Sequence, residues 1–402
     1  MLLLFILITC FALASTLPAQ GRYDDCQRAI FTLSNNPEGN NILSLAASYN
    51  GTLSSPVLTP TGGKGLLGLN VGPPFGPVGT TVGSDGLFGQ NSVVVSENYL
   101  FTVNSGSHTL SMFVIYPWAP LYPKLVGKPV DTQGEFPQSV TYSAQLNTAC
   151  VVNGGAKNGV ACFTVSIENG LSPVGGLRPL KNLHTNTPPS GPPDSASEIL
   201  FSPSSSALFV TIKGKPGPPA VPGYIYAFGV NNGQISSDAI ISSPSALILD
   251  YSINFLGSET SALITDPTFG ASIVNIASDL TVTETHHTTI PNQGAVCWAA
   301  YSRHYGTVYV VDANRTNVTA LDPLSGAIKG VIQFQADALG GFDTIIDRQW
   351  MYILSGANSV VVIDLEESGG TAVQQLGIAQ EGPAGHWQGM AVYPAHRDSF
   401  LW

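Results

Sequence analysis

Gln90, Glu135, Gln138, Glu198, Asp250, Asp343, His386 and Gln388 each stand at or near the start of a short apolar run rich in β-branched residues. If those runs line one cavity, the side chains leading into them converge on it. Carboxylates and a histidine gathered in one place can do acid–base chemistry or hold a metal. The same residue types can also just hydrate a channel and cap strand ends, so their placement decides what they do.

Other motifs carry less. Gly63, Gly65 and Gly68 have the spacing of a dinucleotide loop, but Asn70-Val-Gly-Pro-Pro follows where a helix would have to begin, so this is a plain loop. The sequence has no Gly-x-Ser-x-Gly elbow and no His-Glu-x-x-His. His286 and His287 are adjacent, so on a strand they point to opposite faces and cannot share a metal. No metal or cofactor is expected.

The elements that must position these residues recur in a loose repeat. Asn91–Ser96, Tyr99–Val103 and Thr109–Val114 form the first group of apolar strands. Five similar groups begin near Ser139, Glu198, Tyr251, Val296 and Phe342. The groups start about 44 to 59 residues apart, the length of a four-stranded propeller blade. A seventh group is split between the chain ends. Gly389–Tyr393 and Ser399–Trp402 supply its first strands, and Ala29–Leu33 and Ile42–Ala46 its later ones. Joining the termini closes the ring and removes exposed edges. The expectation is an all-β chain, a single seven-bladed β-propeller closed by its N- and C-terminal strands. A pair of β-sandwiches is the alternative. Residues 60–90 and 181–195, rich in Gly and Pro, read as long loops on one face of the disc.

Residues 1–19 read as a signal peptide. An uncharged apolar run ends in Ala12-Leu13-Ala14, with Ala19 as a second cleavage point. The run is too short to span a bilayer. Residues 20–402 then form the propeller, secreted to the medium or the cell wall, without membrane attachment and as a monomer. Only 10% of residues are charged and the net charge is -11, which argues against nucleic-acid binding. After cleavage four cysteines remain: Cys26, Cys150, Cys162 and Cys297. Cys150 and Cys162 flank a turn and can face each other across a hairpin, leaving Cys26 for Cys297; four reduced thiols are the alternative. Asn50, Asn314 and Asn317 head glycosylation sequons.

The runs Gly89–Phe113 and Leu200–Thr211 resemble the lactonase-type seven-bladed propellers, which include 6-phosphogluconolactonase and carboxymuconate-lactonizing enzymes. The nearest look is to secreted fungal proteins termed 3-carboxymuconate cyclase-like. The resemblance implies His, Arg and Glu near the channel, acting on a lactone or muconate. Glu135, Glu198 and His386 fill the acid and histidine roles. No arginine is legible at the same mouth, because Arg178, Arg303 and Arg348 reach it only through loops. Two functions follow. One is a secreted lactonase or cyclase acting on a small lactone. The other is a non-catalytic glycoprotein that binds a glycan or protein through the disc face. Convergence of His, Arg and Glu favours the first, and a channel plugged by Phe, Trp and Gln favours the second.

Overall fold

The computed structural model describes residues 28–334, 339–366 and 370–395. Seven antiparallel sheets form seven blades. Their inner strands, in chain order, are Val93–Ser96, Pro137–Ser143, Ala196–Phe201, Ile253–Phe255, Val296–Ser302, Gly341–Asp347 and Gln388–Tyr393. We number the blades 1 to 7 in that order. Among the described residues there is no helix.

The strands form because β-branched and aromatic side chains fill pleated surfaces that are buried on both sides. Middle strands such as Thr148–Asn153 and Ala207–Ile212 are buried at every position, whereas an outermost strand such as Val282–Thr289 exposes most of its residues. Apolar clusters lie between neighbouring blades. One joins blades 2 and 3 through Val152, Leu180, Ile199 and Tyr226, and another joins blades 3 and 4 through Phe209, Leu247, Ile253 and Ile264. No blade can bury its two faces alone, so the ring must close.

Closure differs from expectation in one respect. Blade 7 orders its strands as Leu53–Pro60, Asn41–Ala47, Arg28–Leu33 and Gln388–Tyr393. Arg28–Leu33 therefore takes the second position, with Ala29 opposite Tyr393 and Phe31 opposite Ala391. The sequence reading gave that position to Ser399–Trp402, which lies outside the described residues. The shorter split works because Leu53–Pro60, not assigned as a strand from sequence, supplies the exposed outer edge. Arg28 forms a buried ion pair with Asp347 at the end of blade 6's inner strand, which ties the closing blade to its neighbour.

Cys150 and Cys162 face each other on adjacent strands of blade 2 and form a disulfide. Cys297, expected to pair with Cys26, is instead a buried free thiol. It sits on the inner strand of blade 5 and faces the channel charges described below; Cys26 lies outside the described residues.

The two long loops run across the same face, where Leu69–Asn70 pairs in parallel with Ser190–Gly191. Beyond that pair the first loop turns inward.

Candidate functional site

The channel is closed from that face by the chain itself. Residues 84–90 bond to the inner strands of most blades. Ser84 O accepts from Gln388 Nε2 at 2.9 Å, and Leu87 O from Gln138 Nε2 at 2.6 Å. Phe88 O accepts from Lys213 Nζ at 2.6 Å. Gln90 reaches Ala299, donating to its carbonyl at 3.1 Å. Leu87 and Phe88 are fully buried, and Trp298 stands beside Gly89 with Nε1 3.4 Å from its carbonyl. Gly89 is required here, because a Cβ on it would overlap the carbonyl of Ser197.

Asp85 of this plug belongs to a buried charged cluster. Tyr251 donates a short hydrogen bond to Asp85 Oδ2, and Lys213 Nζ sits 4.5 Å from the centre of the Tyr251 ring. The ammonium also donates to Ala196 O at 2.9 Å. Burial raises Asp85 to about 7, opposed by the Tyr251 bond and by Lys213. Burial lowers Lys213 to about 7, opposed by Asp85. Asp250 and Asp343 are pushed well above the usual carboxylate range, by burial first and then by Asp266 and Asp85 respectively. With Lys213 beside several acids in a low-dielectric interior, burial favours the protonated form of these carboxyls.

Bulges aim these groups. The pairing register shifts between Pro137 and Ser139, between Ala196 and Ile199, between Val296 and Trp298, and between Gly341 and Thr344. Each shift falls where an inner strand enters the channel. It turns Gln138, Glu198, Cys297 or Asp343 inward, as an extra residue in a strand does.

On the opposite face the channel opens into a cavity of about 360 Å3. Its floor is Gln90, Asn91 and Glu198, and its rim includes Tyr142, Tyr301 and Arg303. Glu198 Oε1 accepts from Asn91 Nδ2 at 2.5 Å and Oε2 from the Ile253 amide at 2.7 Å. Burial, reinforced by Asp343, holds its pKa well above the ordinary value despite the Ile253 bond. The pocket thus offers a proton donor at its base and hydroxyls, amides, aromatic rings and a guanidinium above it.

The residues assigned from sequence separate accordingly. Gln90, Gln138, Asp250, Asp343 and Gln388 are all buried in or beside the channel, and Glu198 lines the pocket. Glu135 and His386 lie on the plugged face. Glu135 accepts from Thr187 Oγ1 at 2.5 Å, within the second long loop. His386 follows Gly385, whose amide donates to Asn358 Oδ1 at 2.6 Å in a turn of blade 6 on that face. Among the described residues no hydrogen bond joins Glu135, Glu198 and His386. Arg303, from the first hairpin turn of blade 5, does reach the mouth occupied by Glu198. Asp85, Lys213 and Tyr251 went unassigned from sequence. Among the described residues no group of three His, Cys, Asp or Glu side chains is placed to hold a metal. Asn50 and Asn314 are exposed in turns, and Asn317 begins a strand opposite Gln333.

No protein-family model matches this sequence, and no curated protein matches it. Solved structures do resemble it. A periplasmic gluconolactonase from Pseudomonas aeruginosa superposes with a TM-score of 0.62 at 14% identity, over 91% of this chain and 98% of that one. A candidate 6-phosphogluconolactonase from Bacteroides uniformis gives 0.60 at 14% identity over 88% and 95%. One from Bacteroides fragilis gives 0.59 at 11% identity over 92% and 99%. The likeness is one of fold. This chain is a seven-bladed β-propeller, and its chemistry rests on its own pocket.

Proposed function

We propose that the chain is a secreted, non-catalytic glycoprotein that binds a saccharide or similar small polyhydroxy molecule in the open-face pocket. The observation that carries this reading is the plug at residues 84–90. It leaves Glu198 on one side of the channel and puts Glu135 and His386 on the other, so the His–Arg–Glu convergence that lactone chemistry calls for is not assembled. What remains at the pocket suits hydroxyl recognition: the amides of Gln90, Asn91 and Asn254, and the rings of Tyr142 and Tyr301. The Cys150–Cys162 disulfide is compatible with an extracellular setting. Asn50 sits in an exposed turn with Oδ1 held by Thr52 Oγ1 at 2.7 Å, which supports its use as a glycan acceptor.

Calorimetric titration with glucose and glucono-δ-lactone tests the reading. Binding by the wild type, lost in Asn254→Ala and Tyr301→Ala variants that melt normally, is the expected result. Absence of binding to both ligands, or binding unaffected by both substitutions, contradicts it.

One observation favours a second reading, a lactonase acting from this pocket. Glu198 lines the floor, and burial pushes its carboxyl well above the ordinary range, toward the protonated form. As the oxygen of a water molecule bonds to a bound lactone carbonyl carbon and the ring C–O bond breaks, the Glu198 proton can pass to the departing oxygen and the carboxylate so formed can take up the proton the water loses, giving the open hydroxy acid. Hydrolysis faster than the spontaneous rate and abolished by Glu198→Gln would favour this reading.

A further inference from the structure

The loop after the third strand of blade 1 reads Tyr116-Pro-Trp-Ala-Pro-Leu-Tyr-Pro, with prolines at 117, 120 and 123. Two successive turns fix it, with the Ala119 amide donating to Tyr116 O at 2.9 Å and the Tyr122 amide to Ala119 O at 3.1 Å. Leu121 packs down onto the core between blades. Trp118 is nevertheless 75% exposed and Tyr122 62% exposed. Indole and phenol are stacked, with the Tyr116 and Trp118 ring centres 4.9 Å apart and the planes 23° from parallel. One face of the Trp118 indole is thereby covered by Tyr116 and the other is held rigidly toward solvent.

The loop stands on the same disc face as the pocket. Ser96 lines the pocket and pairs with Tyr99, which pairs with Val114, two residues before Tyr116. Two strand spacings separate the pocket wall from the start of the loop, roughly 10 Å. Aromatic rings mark the way across. Tyr142 of the pocket rim meets Tyr99 edge-on at 6.2 Å, and Tyr99 and Tyr116 pack on the same core cluster.

We propose that Trp118 is an outer subsite for a sugar ring of a neutral oligosaccharide whose end sits in the pocket; this rests on the saccharide reading above. The C–H face of a pyranose packs on an aromatic face, whose electron density draws those hydrogens. Rigid presentation reduces the ordering cost of binding. Other occupants fit less well. A proline-rich peptide needs an open slot between rings, and here Tyr116 and Trp118 close on each other. An anionic bilayer is repelled by a chain of net charge -11.

The test is calorimetric titration with glucose and with β-1,3- and β-1,4-linked glucose oligomers of two to four units. The wild type should bind tetramer about tenfold more tightly than monomer, a difference of about 1.4 kcal/mol. Trp118→Ala should erase that gain, leave monomer affinity unchanged and melt like the wild type, and Trp118→Tyr should restore most of the gain. Monomer binding without any gain from length, or a gain that survives Trp118→Ala, overturns the subsite and leaves the pocket reading standing. No binding at any length overturns both. Trp118-dependent binding to phosphatidylcholine vesicles in place of sugars overturns the choice of occupant.

Discussion

Asp85→Asn is the most informative perturbation of the channel. Asp85 is buried, accepts from Tyr251 and faces Lys213, and its folded pKa is about 7 against an ordinary 3.8. The folded form therefore keeps a proton between pH 4 and 7 that the unfolded chain has lost. A raised acid pKa of this kind stabilises at low pH, and the stability is lost as pH rises toward the folded value. The interval of about 3 units corresponds to roughly 4 kcal/mol. Glu198, Asp250 and Asp343 are shifted in the same direction, so wild-type stability should fall from pH 4 to pH 8. Asparagine copies the protonated acid and can still accept from Tyr251. Its stability relative to wild type should rise by about 4 kcal/mol between pH 4 and pH 8. Urea unfolding of both proteins at pH 4, 5, 6, 7 and 8 measures this directly. A constant difference across that range would refute the idea that Asp85 is buried as an acid in the plug. Lys213 gives an internal check. Its lowered pKa means that stability rises with pH above about 7, and Lys213→Met should remove that rise.

The other predictions concern the plug and the ring. Gly89→Ala should displace the plug from Ser197 and lower stability by about 3 kcal/mol or more, read as a large drop in melting temperature. Asp347→Asn should cost about 3–5 kcal/mol in urea unfolding, because it leaves the Arg28 guanidinium buried without its counterion. Replacing Cys150 and Cys162 by Ala together should cost about 3 kcal/mol for the 12-residue separation they close, and reductant should then have no further effect.

Much of the fold was legible because the repeat is written in strand chemistry. The runs beginning at Asn91, Ser139, Glu198, Tyr251, Val296 and Phe342 each became the inner edge of a blade. The hairpin disulfide was legible because cross-strand partners on either side of a short turn must face each other. The closing blade was misassigned in its second strand because Leu53–Pro60 carries two prolines and exposed side chains, and so reads as a loop. The site was harder. Gln90, Gln138 and Glu198 were found from their positions at strand starts, but the bulges that aim Gln138 and Glu198 leave no sequence signature. Asp85 lies in a Gly-rich stretch and Lys213 at the far end of a second strand, so no local pattern joins them. Their meeting depends on a loop folding back into the ring. That same fold-back separates Glu135 and His386 from Glu198.

If the pocket above the plugged channel binds without turnover, proton NMR of glucono-δ-lactone at pH 6, with and without micromolar protein, should show a hydrolysis rate equal to the spontaneous one while the lactone signals show saturation transfer from the protein. A rate several-fold above spontaneous that returns to baseline with Glu198→Gln would contradict that reading.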